Sequence, residues 1–181
     1  ALKDVWVTSL LQASDGTLWA GTYREGLYRI RDGRATKIEE GSFFSLARGN
    51  DGRIFSVSDI GAGFIENDRF NVVLRGSDTG VYGWQPTAQH PDGTLWFGAK
   101  EGLFRSGPNQ SPSVPLAAIE GRPVTVYFAP ASHQLYLGTT LKLYTLACTA
   151  AACRPTLVKG VPGPVVGLHQ SSDQTLWIVT W

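Results

Sequence analysis

Short runs in which apolar and polar residues alternate recur along the chain, and tight-turn residues separate most of them. Residues 18–22 and 26–30 show the two-residue period of half-buried β-strands. No longer window has the i, i+3, i+4, i+7 spacing of an amphipathic helix. The pattern therefore predicts an all-β protein with short strands and few helices.

A motif of five residues repeats at nearly constant intervals. Asp-Gly-Thr-Leu-Trp at residues 15–19 recurs unchanged at 92–96, and weaker copies lie at 51–55, 132–136 and 173–177. The last residue of each copy is aromatic, with spacings of 36, 41, 40 and 41 residues. We call these residues the anchors: Trp19, Phe55, Trp96, Tyr136 and Trp177.

The repeat extends beyond the motif. Twelve residues before each anchor lies another large apolar residue, and these form a column: Val7, Phe43, Trp84, Val124 and Val165. Each unit reads as strand, Asp-Gly turn, strand, loop, strand, turn and strand, which is the pattern of a β-propeller blade. We predict a partial propeller of about four and a half blades: 5–40, 41–75, 82–119, 123–160 and a half blade over 163–181.

Burial gives the anchors a structural role. A four-stranded sheet has two apolar faces, so stacked blades cover one another. We expect Trp19, Trp96 and Trp177 to fill the layers between blades and Trp84 to pack in its column. A small residue two positions after an anchor would admit the next blade. The fifth unit stops after its second strand, so we expect further blades or a second subunit at that open edge.

Composition and charge exclude several classes of protein. Apolar residues make up 43% of the chain, which is enough for a core, and the net charge is +1. That balance argues against nucleic acid as a partner and against a polybasic membrane patch. No signal peptide or spanning segment is evident, so any export signal or membrane contact is expected in a segment outside this chain.

The strongest copies resemble a known repeat. Residues 15–22 followed by Gly26-Leu27-Tyr28-Arg29, and residues 92–99 followed by Gly102-Leu103-Phe104-Arg105, resemble the two-component regulator propeller repeat. The resemblance implies a β-propeller that forms the periplasmic sensor domain of a bacterial membrane signalling protein. Its output domain, a histidine kinase or a diguanylate cyclase, would lie elsewhere in the full-length protein.

The resemblance leaves alternative functions open. It favours a non-catalytic, ligand-sensing domain without a cofactor. Similar repeats occur in propeller enzymes of the streptogramin-lyase and lactonase types, and a lectin-like binding module is a further alternative. Propeller folds host many functions, so the fold alone does not choose among them.

Loops at one end of a propeller axis usually bind ligands. Aromatic rings beside charged side chains suit a small molecule, a saccharide or a peptide. Solvated loop charges without a function are the competing interpretation. The predicted ligand-binding residues are Trp6, Tyr23, Arg24, Asp59, Tyr82, Lys100 and Lys142.

Other polar residues receive structural interpretations. The Asp residues of the motif are expected to form turns rather than to bind Ca²⁺. His90, His133 and His169 are too scattered for a local metal motif, so we predict neither a metal site nor a catalytic set. Cys148 and Cys153 have a spacing that a disulfide can bridge. We expect that bond in an exported domain and two free thiols in a reducing cytosol.

Overall fold

The structure is a computed structural model of the 181-residue chain. It describes residues 2–49, 52–75, 87–92, 94–99, 102–106, 113–114, 119–149 and 152–181. These residues form five antiparallel sheets, and no helix among them has the length and the apolar composition needed to cross a bilayer. The chain divides into two compact units, Ala1–Val81 with Pro91–Gly93 and Tyr82–His90 with Thr94–Trp181.

Unit 1 contains two four-stranded sheets, each built from consecutive strands. The first is β1 (Val7–Gln12), β2 (Leu18–Thr22), β3 (Leu27–Arg31) and β4 (Arg34–Glu39). The second is β5 (Phe43–Arg48), β6 (Ile54–Ser58), β7 (Gly61–Glu66) and β8 (Arg69–Arg75). Strand β5 packs against β1 and β2, so the first strand of one sheet covers the face of the sheet before it.

Unit 2 continues the same pattern with two four-stranded sheets and one two-stranded sheet. The third sheet is β9 (Thr87–Gln89), β10 (Leu95–Ala99), β11 (Gly102–Ser106) and β12 (Ser113–Val114). The fourth is β13 (Pro123–Ala129), β14 (Gln134–Thr139), β15 (Leu143–Cys148) and β16 (Cys153–Leu157), and the fifth is β17 (Val165–Gln170) and β18 (Leu176–Thr180). The consecutive four-stranded sheets make the fold a partial β-propeller, as predicted.

The first Asp-Gly turn is closed by side-chain hydrogen bonds. The Thr17 backbone N–H donates to Asp15 Oδ1 at 3.0 Å, and the Thr17 hydroxyl donates to Asp15 Oδ2 at 2.9 Å. These bonds lower the pKa of Asp15 below its ordinary value of 3.8, and the Arg31 guanidinium lowers it further. The aspartate therefore acts as a turn residue.

This turn predicts a pH-dependent stability difference. A carboxyl whose folded-state pKa is depressed contributes fully above its unfolded-state pKa, and the contribution is lost as the pH falls through the folded-state pKa. The Asp15→Asn chain is therefore expected to melt below the unchanged chain at neutral pH, with the difference shrinking as the pH falls below 3.8. Thermal melts across pH, with Asp32→Asn in the β3–β4 turn as control, measure this. A difference that does not change with pH would contradict it.

Inter-sheet packing in unit 1 centres on the anchor Trp19. Only 6% of its surface is exposed, and it lies in a cluster with Leu27, Phe43, Ile54, Ile65 and Phe70. A Cβ atom placed on Gly21 would lie 2.8 Å from the Phe43 carbonyl oxygen and 3.1 Å from Phe43 Cβ. Glycine is therefore required where the second sheet approaches the first.

The same packing occurs twice in unit 2. A Cβ on Gly98 would lie 2.8 Å from Pro123 Cβ, and a Cβ on Gly138 would lie 2.9 Å from Val165 Cγ1. Trp96 is buried beside Val126, and Tyr136 is partly buried against Val165. The small residue after the anchor thus admits a first-strand residue of the next sheet. That residue is aromatic only in the case of Phe43.

The column of apolar residues needs one correction. In the strand register, each first-strand column residue lies opposite the residue three positions after its anchor. The observed pairs are Val7 with Thr22, Phe43 with Ser58, Pro123 with Thr139 and Val165 with Thr180. The fourth member is therefore Pro123 and not Val124. Pro123 and Thr139 are 16 residues apart in the chain, whereas the other three pairs are each 15 apart, and this extra residue shifts the count from the anchor. Trp84, the remaining predicted member, lies outside the described residues.

One anchor prediction is wrong. Trp19 and Trp96 are buried as expected, but 60% of the Trp177 surface is exposed. Trp177 lies on β18, on the face that also carries its register partner His169. No further sheet packs against that face within the described ranges, so the ring that would be buried between two sheets is left in solvent.

The two cysteines lie opposite each other at the ends of β15 and β16. Their sulfur atoms are 2.00 Å apart and their Cα atoms 4.1 Å apart, which is a disulfide across a hairpin mouth. The Thr149 N–H donates to the Ala152 carbonyl oxygen at 2.9 Å inside the loop that the bond closes. The redox state in the cell remains a prediction.

Candidate functional site

Four described sheets share one hydrogen bond at the end where the second strand stops. In each, the N–H of the residue that follows the second strand donates to the carbonyl oxygen of the residue that precedes the first strand, with donor–acceptor distances of 2.9 to 3.1 Å. The bond fixes two neighbouring side chains at the loop end of the sheet. We call them rim pairs: Trp6 with Tyr23, Ser42 with Asp59, Arg122 with Thr140 and Pro164 with Trp181.

The rim pair of the first sheet is aromatic. The Trp6 and Tyr23 rings have centroids 5.6 Å apart and are tilted by 59°, and both side chains are exposed. The Arg24 guanidinium carbon lies 4.9 Å from the centroid of the Tyr23 ring. These three residues form an exposed aromatic–arginine cluster, in which the ring faces are apolar and the guanidinium supplies a charged fork of donors.

The rim pair of the second sheet supports this cluster. The Arg24 N–H donates to Ser42 Oγ at 3.1 Å, and the Ser42 N–H donates to Asp59 Oδ2 at 3.0 Å. Arg24 has a φ of 69°, a conformation that non-glycine residues rarely adopt, so the bond from Ser42 helps to hold it. A Cβ on Gly41 would lie 2.6 Å from Asp59 Oδ1. The loop between β2 and β3 is therefore anchored to the second sheet.

Four predicted site residues thus lie in one connected network in unit 1: Trp6, Tyr23, Arg24 and Asp59. Asp59 is exposed, but its carboxylate already accepts the Ser42 N–H, so the structure places it as a support of the cluster. That these residues bind a ligand remains a prediction.

The other predicted residues are not part of this network. Lys142 lies in unit 2, in the loop between β14 and β15, where its N–H donates to Thr139 Oγ1 at 2.8 Å. The neighbouring Leu141 is exposed. Tyr82 and Lys100 lie outside the described residues.

Sequence reasoning missed the rim pair of the fifth sheet. The Trp181 N–H donates to the Pro164 carbonyl oxygen at 3.1 Å, and the Trp181 ring is exposed. Trp181 occupies the same repeat position as Tyr23, four residues after its anchor in both cases. Counting from the anchors would have found it, because Tyr23 was singled out for its loop and not for its register.

The histidines lie elsewhere. His90 and His133 flank the Phe128 ring, with centroid distances of 4.8 and 6.2 Å, at the opposite end of unit 2 from Lys142. Among the described residues, no group of three His, Cys, Asp or Glu side chains is arranged to hold a metal ion. His169 is exposed on β17.

Comparison with known sequences gives one family match. The family model described as two component regulator propeller matches residues 1–24. This segment contains β1, β2 and the first Asp-Gly-Thr-Leu-Trp motif, which is the part of the chain that carries the aromatic–arginine cluster. No curated protein matches the chain at a significant level.

Solved structures with a similar fold include both sensor domains and enzymes. Virginiamycin B lyase from Staphylococcus aureus has a TM-score of 0.73 and 16% identity over 97% of this chain and 64% of its own. The extracellular domain of BT3049 from B. thetaiotaomicron, described as a hybrid two component system, has a TM-score of 0.74 and 17% identity over 96% of this chain and 26% of its own. The gluconolactonase XC5397 from Xanthomonas campestris has a TM-score of 0.71 and 16% identity over 97% and 70%.

These likenesses concern the fold, because the identities are low. The chain spans 64% of the lyase and about a quarter of the sensor domain, so the activities of those whole proteins are not carried over. The family match covers residues 1–24, which contain the first copy of the motif. Residues 1–24 match the two component regulator propeller model, and the chain that contains them is a partial β-propeller.

Proposed function

We propose that this chain is a non-catalytic, ligand-binding propeller from the extracytoplasmic part of a bacterial signalling protein. The observation that carries the proposal is the aromatic–arginine cluster of Trp6, Tyr23 and Arg24, which the second sheet holds in place through Ser42 and Asp59. The family match and the likeness to an extracellular domain of a two-component system support the setting.

The chemistry of the cluster favours a ligand that combines a ring with an anionic group. Sugar rings stack on the faces of Trp and Tyr, and a guanidinium binds a carboxylate through two parallel hydrogen bonds. An acidic saccharide built from uronic acids carries both features. We therefore propose this class of ligand over neutral sugars.

Signalling would follow from a difference in the ligand's affinity for two packing arrangements of the propeller. A ligand held at the loop end can favour one packing arrangement of the propeller against its neighbours only if it binds that arrangement more tightly. A histidine kinase or diguanylate cyclase domain elsewhere in the protein would read that shift across the membrane. The anchored loop around Arg24 suits this role, because ligand contacts there are coupled to the second sheet through Ser42.

The test is a binding assay with defined probes. Uronic-acid oligosaccharides and their neutral counterparts are titrated against the chain by thermal shift and calorimetry, since a ligand that binds the folded state raises the melting temperature. The acidic series is expected to bind. Trp6→Ala and Arg24→Gln are each expected to weaken binding about tenfold or more, which corresponds to a loss of ~1.4 kcal/mol.

Two matched variants control for general effects. Trp177→Ala removes an equally exposed indole away from the loop end, and Arg34→Gln removes an exposed guanidinium from the opposite end of the first sheet. Both are expected to bind like the unchanged chain. Binding that is unaffected by Trp6→Ala and Arg24→Gln would contradict the proposed site, and turnover of a lactone or a streptogramin would contradict the non-catalytic role.

A further inference from the structure

At the loop end of a four-stranded sheet, each strand contributes one residue to a row across the sheet. In the fourth sheet, three of these four residues are basic. We call them the cationic row: Arg122 before β13, Lys142 before β15 and Lys159 after β16. The equivalent row of the first sheet consists of Trp6, Tyr23, Gly26 and Glu40, so the positive charge is not a general property of the repeat.

Backbone hydrogen bonds fix the order of the cationic row. Arg122 is held at the first strand by its rim-pair bond of 2.9 Å. The Val158 N–H donates to the Leu143 carbonyl oxygen at 2.9 Å, so the next residue, Lys159, lies opposite Lys142. Since neighbouring strands lie about 4.8 Å apart, the row extends over roughly 14 Å.

The loop that carries Lys142 is anchored on both sides. The Lys142 N–H donates to Thr139 Oγ1 at 2.8 Å, and the Thr139 hydroxyl donates to the Glu120 carbonyl oxygen at 2.7 Å. A Cβ on Gly163 would overlap the Leu141 carbonyl oxygen, so the loop packs directly against the segment before β17. The backbone is therefore in place before a ligand arrives, which reduces the entropy lost on binding.

The charges of the cationic row are not neutralised within the described part of the chain. Arg122 and Lys159 are exposed and Lys142 is half-buried. None of the three forms an ion pair there, and neither does Glu120, the acidic residue closest to Arg122 in the sequence. Like charges on opposite residues such as Lys142 and Lys159 repel each other, and an anionic ligand would relieve that repulsion.

We propose that the cationic row binds a linear polyanion, and that this ligand is an acidic polysaccharide. A compact anion reaches only part of a row of this length, whereas an extended chain of anionic groups follows it. Leu141 and Thr140 are exposed within the same loop end and offer a sugar ring an apolar contact and a hydroxyl. Three cations are few for a nucleic acid, which is bound through many phosphate contacts.

The ligand class rests on the proposed function, but the site does not. The cationic row lies in unit 2, whereas the aromatic–arginine cluster lies in unit 1. The experiment therefore starts from a chain in which Trp6→Ala and Arg24→Gln disable the cluster. Polygalacturonate and monomeric galacturonate are titrated against this chain by calorimetry.

The polymer is expected to bind the chain without the cluster, and the monomer is expected to bind far more weakly. Adding Lys142→Gln and Lys159→Gln is expected to weaken polymer binding about tenfold, since each exposed ion pair contributes a few-fold. Raising the salt concentration is expected to weaken it too, because exposed charges are screened. If this variant does not fold, as judged by circular dichroism, Arg122→Gln with Lys159→Gln takes its place.

Arg34→Gln with Arg154→Gln is the matched control, because it removes two exposed cations from the opposite ends of the first and fourth sheets and changes the net charge equally. It is expected to leave polymer binding unchanged, and Lys142→Arg with Lys159→Arg is expected to retain it.

Several results would overturn the proposal: no binding to the chain without the cluster, equal binding of monomer and polymer, or equal effects of the two double glutamine variants. Binding to phosphatidylglycerol vesicles in place of polygalacturonate would overturn it as well. The proposed function fails separately, through short acidic oligosaccharides that bind the intact chain regardless of Trp6→Ala and Arg24→Gln.

Discussion

Replacing Trp19 by alanine is expected to lower the free energy of unfolding by about 3–5 kcal/mol, the usual range for truncating a buried aromatic residue. Trp19 is almost fully buried and contacts the cluster that joins the first two sheets. Its removal leaves a cavity between sheets that cannot collapse freely, because Gly21 already brings the strands close together.

Trp177→Ala is the matched control, because it removes the same side chain from the same repeat position where the ring is exposed. Its effect on the free energy of unfolding is expected to stay within about 1 kcal/mol. Urea unfolding followed by circular dichroism measures both, since tryptophan fluorescence changes with the substitutions themselves. Equal effects of the two substitutions would show that the anchors do not stabilise the fold through inter-sheet packing.

Gly138→Ala is expected to destabilise unit 2 by about 1–3 kcal/mol, the usual cost of overpacking. The added Cβ would lie 2.9 Å from the Val165 carbonyl oxygen and 3.0 Å from Val165 Cβ, so β17 must move away from β14. One of the three close atoms is the Val165 backbone carbonyl oxygen, which cannot rotate away as a flexible side chain would. The melting temperature, with circular dichroism as the probe, gives the effect.

Val179→Ala is the control for this substitution, because Val179 occupies the same repeat position on the exposed face of β18. The effect of Val179→Ala on the free energy of unfolding is expected to be small, within about 1 kcal/mol. A Gly138→Ala chain that melts like the unchanged protein would mean that the fifth sheet does not pack as closely on the fourth as the structure has it.

The candidate site was predictable in part. Trp6, Tyr23, Arg24 and Asp59 followed from the rule that loops after the second strand and segments before the first strand lie at one end of a blade. The hydrogen bonds through Ser42 did not follow, since they join residues from two different sheets. Trp181 was missed because Tyr23 was chosen for its loop, and the same position was not counted from the anchor in the fifth unit.

The sequence by itself determined the number, order and type of the strands and the positions of the turns. These features follow from interactions over a few residues: side-chain alternation along a strand, and Asx hydrogen bonds such as those of Asp15 with Thr17. Every copy of the motif ends in an aliphatic residue followed by an aromatic one. For this reason, even the weaker copies at residues 51–55 and 132–136 were located correctly.

Only the tertiary structure decided which repeated residues are buried. Trp19 and Trp177 stand in nearly identical motifs, yet one is enclosed and the other is solvated. The choice of Pro123 over Val124 in the column likewise depends on the strand register, which differs by one residue in this hairpin. The physical reason is that burial requires two surfaces in contact. A side chain is removed from water only where another sheet packs over it, and the neighbouring residues in the sequence do not determine whether one does.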